Sequence, residues 1–127
     1  MKNQSKQTIW ITGASSGIGE ELAKQLASAH VNLILTARNE QKLNELATQL
    51  APLGVTCFCL PADLTQLVSL KTITQQALSF TGNIDVVIHN AGISQRSLAI
   101  ETEVEVYHQL MDINFFAPVY ITNYLLP

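Results

Sequence analysis

Charge is scarce in this sequence. Asp, Glu, Lys and Arg make up 13% of its 127 residues, and ten acids against seven bases leave a formal charge of -3. No basic field is present to draw nucleic acid. Cysteine is limited to Cys57 and Cys59, with no further Cys or His close by in sequence to complete a metal-ligand set. One residue apart on a strand, the two would point to the same face, so they read as core thiols. No apolar run approaches the roughly 20 residues of a membrane span. The mostly polar stretch from Met1 to Trp10 lacks the apolar centre of a signal peptide. A soluble, cytoplasmic protein is the expectation. No Pro-, Gly- or Ser-rich linker, low-complexity tract or repeat divides the chain.

What is abundant is apolar. Hydrophobic residues account for 47% of the chain, enough for the interior of one compact domain. They fall into short runs that alternate with amphipathic segments. Strands are expected over residues 8–12, 32–37, 56–60 and 85–89. Helices are expected over residues 18–29, with Ile18, Leu22 and Leu26 on one inward stripe, and over 40–50, with Leu43, Leu46 and Leu50. A third helix, capped by Thr65, is expected to run to about Phe80 with Leu67, Leu70 and Ala77 inward. From about Glu103 the chain reads as one or two helices. Val86, Val87 and Ile88 form a continuous apolar run, which predicts burial on both faces of a sheet. Strands separated by helices predict an α/β fold, a Rossmann-type doubly wound parallel sheet. Right-handed crossovers give the order 3-2-1-4 for the four strands, about half of the complete sheet.

The strongest chemical signal lies where the first strand becomes the first helix, in Thr12-Gly13-Ala14-Ser15-Ser16-Gly17-Ile18-Gly19. Gly13 permits a tight turn, Gly17 lets backbone approach a pyrophosphate, and Gly19 allows close helix packing. The free N–H groups of Ser15 to Gly19 and the positive end of the helix would then face phosphates. Just past the second strand, an acid would hold the ribose 2′-hydroxyl of NAD. This chain has Thr36-Ala37-Arg38 instead. Arg38 can pair with a 2′-phosphate, so NADP(H) is expected over NAD(H).

With these residues in place, the chain resembles the short-chain dehydrogenase/reductase family. The glycine motif matches at Gly13, Gly17 and Gly19. The family's acid after the third strand matches Asp63, in Ala62-Asp63-Leu64-Thr65, where the resemblance implies contact with the adenine ring from Asp63 and Leu64. The family's Asn-Asn-Ala-Gly turn appears as His89-Asn90-Ala91-Gly92, beside the cofactor. Its structural asparagine matches Asn114, in Met111-Asp112-Ile113-Asn114. The match runs from Thr8 to Pro127. It implies hydride transfer between NADP(H) and a small carbonyl or alcohol substrate, with Asn114 supporting a water on the proton path. It also implies a homo-oligomer for the full-length form.

Two departures qualify that implication. His89 replaces the family's first asparagine, and a histidine at the end of a buried strand reads as a hydrogen-bonded packing residue. His30, near a helix C-terminus, and His108 read as structural or surface residues. The larger departure is that the family's catalytic serine and Tyr-x-x-x-Lys pair are missing. Lys2, Lys6, Lys24, Lys42 and Lys71 all precede Tyr107, the first tyrosine. The chain by itself is therefore expected to be inactive. Two readings follow, a fragment of a longer reductase or a standalone nucleotide-binding module. Segment 93–100, with the polar run Ser94-Gln95-Arg96-Ser97, is the one substrate-side loop. The fourth strand would lie at an open sheet edge, and Phe115, Phe116, Val119, Tyr120, Leu125 and Leu126 add apolar helix surface. The isolated chain is thus expected to be marginally stable and to self-associate.

Overall fold

The computed structural model describes residues 6–94 and 96–127. Gln95 of the polar loop and the first five residues therefore lie outside the described residues. Four strands, β1 (Gln7–Thr12), β2 (Val31–Thr36), β3 (Thr56–Cys59) and β4 (Val86–Ile88), form one sheet in the order β3-β2-β1-β4. All three pairings are parallel, with Ile9 opposite Leu33 and Val86, and Leu33 opposite Cys57. The expected Rossmann-type order is the one found. The helices are α1 (Gly17–Leu26), α2 (Glu40–Leu50), α3 (Leu70–Thr81), α4 (Val104–Met111) and α5 (Ala117–Leu125). A π turn over Asp112–Phe116 joins α4 to α5.

Alternation along the strands divides the core between the two faces. Ile9, Ile11, Leu33 and Leu35 pack with Ala23 of α1 and Leu43, Leu46 and Leu50 of α2. Trp10 and Ile34 point the other way, onto Leu70 and Ala77 of α3 and Ala117 and Ile121 of α5. Each fully buried Leu or Ile of this kind contributes about 1.5–3 kcal/mol. The buried Trp10 indole keeps its hydrogen bond, donating from Nε1 to Thr36 Oγ1 at 2.8 Å. Cys57 and Cys59 rest against the α1/α2 face together, as two half-buried thiols. Burial, with Cys59 beside it, pushes the Cys57 thiol up to about 11, so it stays protonated at neutral pH.

Several expectations are corrected. Ile18 is not part of the inward stripe but 73% exposed, because the first turn of α1 turns Gly19, not Ile18, towards the Gly13 backbone and the Asn90 side chain beneath it. Helix α1 stops at Leu26, so His30 follows it at a distance and sits exposed beside Val31. Thr65 does not cap a helix. Its hydroxyl and N–H both donate to Asp63 Oδ1, at 2.6 and 3.0 Å, and α3 begins only at Leu70 after a short turn over Leu67–Ser69. Val86, Val87 and Ile88 are half-buried, since β4 has a neighbour on one side alone. The last helical segment leaves Phe115, Phe116, Val119, Tyr120 and Leu126 exposed as expected, with Phe115, Phe116, Tyr120 and Tyr124 in edge-to-face contact along the row, but Leu125 packs against the core. No helix among the described residues is long and apolar enough to cross a membrane.

Candidate functional site

The four strands release the chain at the same edge of the sheet, and the segments that follow them enclose a cleft of about 530 Å³. Open α/β sheets bind ligands at this carboxyl edge, where the strand order reverses. Gly13 and Ser15 come from the end of β1, and Thr36 to Asn39 from the end of β2. Ala62 and Leu64 follow β3, and Ala91 to Ile93 follow β4. The β3 segment is carried there by an extension of the ladder, with Leu60 and Ala62 donating their N–H groups to the Leu35 and Ala37 carbonyls.

The β1–α1 junction is held by the turn after β4. The Thr12 hydroxyl accepts the N–H groups of Asn90 and Ala91, at 3.1 and 3.0 Å. Asn90 Nδ2 donates to the Gly13 carbonyl at 3.1 Å. Gly13 has φ 66° and Gly17 φ 57°, a region costly to any residue with a Cβ. A Cβ on Gly13 would also lie 2.8 Å from Asn90 Nδ2. A Cβ on Gly17 would meet nothing within 4 Å, so that side of the residue faces open space. Ser16 occupies the N-cap of α1 without a side-chain cap bond. The first-turn N–H groups of α1 have no partner earlier in the helix, which suits them to an anion.

Asp63 sits between the cleft residues Ala62 and Leu64. The bonds from Thr65 hold its carboxyl below the usual carboxylate range despite an opposing desolvation cost, and Arg38 adds a smaller effect in the same direction. It is ionised at neutral pH. Arg38 is exposed on the cleft wall, followed by Asn39, whose Oδ1 accepts the Lys42 N–H at 3.1 Å and caps α2. Asn114, outside the lining, grips the loop after β4 by both backbone groups of one residue. Its Oδ1 accepts the Ile93 N–H at 3.0 Å, and its Nδ2 donates to the Ile93 carbonyl at 2.8 Å.

Of the expected residues, Gly13, Ser15, Arg38, Leu64, Ala91 and Gly92 line the cleft directly. Gly19, Asn90 and Asn114 stand behind them as supports, while Ser16, Gly17 and Ile18 form the exposed outer rim. Sequence reasoning gave no site role to Thr12, Asn39 or Ile113, and took Ile93 only as the start of the substrate-side loop. The Asn39 cap was readable from its position just before a helix that opens with Glu40.

A family model described as short chain dehydrogenase matches residues 7–127. The chain belongs to the short-chain dehydrogenase family. It is 41% identical over 123 residues to dehydrogenase/reductase SDR family member 7 of Mus musculus, covering 94% of this chain and 36% of that protein. It thus spans about a third of the length of that curated relative. A short-chain dehydrogenase from Sphingobium yanoikuyae, solved in complex with NADPH, superposes with a TM-score of 0.85 at 32% identity, covering 94% of this chain and 46% of the other. An alcohol dehydrogenase from the archaeon Thermococcus sibiricus, complexed with 5-hydroxy-NADP, gives a TM-score of 0.89 at 30% identity, covering 95% of this chain and 52% of the other.

His89, the departure from the family's asparagine, faces away from the cleft lining. Its Nε2 shares a hydrogen bond of 3.0 Å with Thr122 Oγ1, tying the end of β4 to α5. Burial lowers its pKa from the ordinary 6.5. The sign follows from linkage: the unfolded chain takes up a proton at higher pH than the folded one. The His89 contribution to stability is therefore complete above about pH 6.5 and is lost as pH falls from there towards the folded-state pKa. Urea melts between pH 7.5 and 5 are expected to show less acid loss in His89→Asn than in the parent. Identical slopes would contradict this.

Proposed function

We propose that the cleft is a dinucleotide site that takes NADP(H) in preference to NAD(H), in an oxidoreductase interconverting a carbonyl and an alcohol. Support for the site comes from the glycine-lined β1–α1 junction, where the open space above Gly17 leaves room for a pyrophosphate against bare N–H groups. Support for the phosphorylated cofactor comes from Arg38, which stands on the cleft wall at the end of β2 with no acid in its place. Both solved relatives described above hold phosphorylated nicotinamide nucleotides. When bound, the cofactor supplies or accepts the hydride. The residues of this chain hold and orient it. Ser15, Ser16, Gly17, Ile18 and Gly19 receive the phosphates, Arg38 the 2′-phosphate, Asp63 and Leu64 the adenine. Asn90, Ala91 and Gly92 border the nicotinamide half, and Asn114 fixes the backbone of that border through Ile93.

Arg38→Ala is expected to weaken NADP(H) binding by about 1.5–3 kcal/mol, the value of a hydrogen bond to a charged group, or roughly ten- to a hundredfold. NAD(H) binding should hardly change. Titration calorimetry with both cofactors measures the difference, and equal losses would count against a 2′-phosphate role for Arg38.

A further inference from the structure

The segment that closes the β4 side of the cleft leaves a strand with little hold of its own. β4 pairs with β1 alone, and its register ends where Ile88 stands opposite Ile11. Beyond it, Ala91, Gly92 and Ile93 line the cleft. Two side chains from one helical stretch hold this segment at its two ends. Asn114, in the π turn, takes both backbone groups of Ile93, and a Cβ on Gly92 would lie 2.7 Å from its Oδ1. Thr122, about two turns further along the stretch, meets Nε2 of His89 at 3.0 Å. Both partners of that bond are half-buried, and Thr122 rides on a helix fixed to the core by the fully buried Ala117 and Ile121. Next to His89, Asn90 donates its N–H to the Thr12 hydroxyl and its side-chain amide to the Gly13 carbonyl.

We propose that His89 is a positioning residue for the dinucleotide, with Thr122 as its anchor. The pair fixes the β4 end of the turn as Asn114 fixes the far end, and so sets where Ala91 and Gly92 stand against the nicotinamide half. This rests on the reading of the cleft as a dinucleotide site and adds to it a residue outside the lining. The imidazole reaches Thr122 through Nε2, the ring nitrogen farther from its own backbone. A side chain that stops one atom short cannot make the bond. Without it the turn keeps its contacts to Thr12 and Gly13 but loses its tie to α5 and is held less closely. Ordering it again on binding is a cost that appears in affinity.

The test is calorimetry on the chain with NADPH and with 2′,5′-ADP, which lacks the nicotinamide half. His89→Leu should weaken NADPH about fivefold, the effect of one ordinary hydrogen bond, and leave 2′,5′-ADP within about twofold of the parent. A loss of folded chain alone would weaken both probes by the same factor. His89→Gln should restore most of the loss, because its amide nitrogen lies as many bonds from Cβ as Nε2 does, whereas His89→Asn should not. Thr122→Val should match His89→Leu, and the double variant should lose no more than either alone. Unchanged NADPH affinity in His89→Leu, an equal loss for both probes, or additive losses in the double variant overturns the role of His89 and leaves the dinucleotide reading standing. A parent that binds neither probe removes that reading, and the role of His89 with it.

Discussion

Gly19→Ala is expected to destabilise the chain by about 3 kcal/mol or more, the upper range for overpacking a closed interior site. A Cβ there would press into the Gly13 carbonyl and lie 2.5 Å from Asn90 Nδ2. Neither can retreat cheaply. The same Gly13 carbonyl accepts from that same Asn90 nitrogen, and Thr12 locks the turn that carries it. Gly17→Ala should behave differently. Nothing lies within 4 Å of its added methyl, so the stability cost is limited to the positive φ, about 1–2 kcal/mol. Its loss should appear in nucleotide affinity, tenfold or more, because the methyl projects where a phosphate would approach. Urea denaturation and calorimetry on the two variants separate these effects. A Gly19→Ala protein melting with the parent would refute the packing account.

Purified chain of 127 residues is expected to show no carbonyl reduction or alcohol oxidation above background, with either nicotinamide cofactor. Proton transfer to a developing alkoxide needs an acid within hydrogen-bond reach of the reacting oxygen. The phenols available are Tyr107, Tyr120 and Tyr124. All are exposed on α4 and α5, and none lines the cleft. No lysine lies within a turn of any of them in sequence. Cofactor binding should survive where turnover does not, which separates a missing acid from a missing fold. Turnover by a verified chain of this length would require a different proton donor, and the alternative of a binding module would fall with it.

Much of this arrangement was legible in the residues because its causes are local. Strands β1 and β2 announce themselves by apolar runs, helix α2 by Leu43, Leu46 and Leu50, and the cofactor cradle by three glycines at a strand-to-helix junction. Handedness then ordered the sheet. Thr12 escaped notice because its partners Asn90 and Ala91 lie 78 and 79 residues away. A threonine at the end of a strand carries no local mark of such a task. Ile18 was misplaced for the opposite reason. Its apolar side chain at helical spacing suggested an inward position, but the residue that the first turn faces inward is Gly19, which has no side chain to announce it. Thr65 has the residue type of a cap, but the carboxylate two residues earlier claims its hydroxyl first.

The π turn between α4 and α5 bears on how this part of the molecule can change length. The inward positions there are Val106, Leu110, Ile113, Ala117, Ile121 and Leu125, all at least half-buried, and they keep to one side only because the turn absorbs a surplus residue. Deleting one residue within Asp112–Phe116 would remove that surplus and restore a regular α-helix with its inward faces still aligned, whereas deleting one residue from α5 would swing the helix beyond it by about 100°. Asn114 lies inside the turn, so it is the residue whose aim at Ile93 depends on the extra residue. The segment can thus lose a residue at this point and keep its packing, at the expense of the bonds that hold the loop after β4.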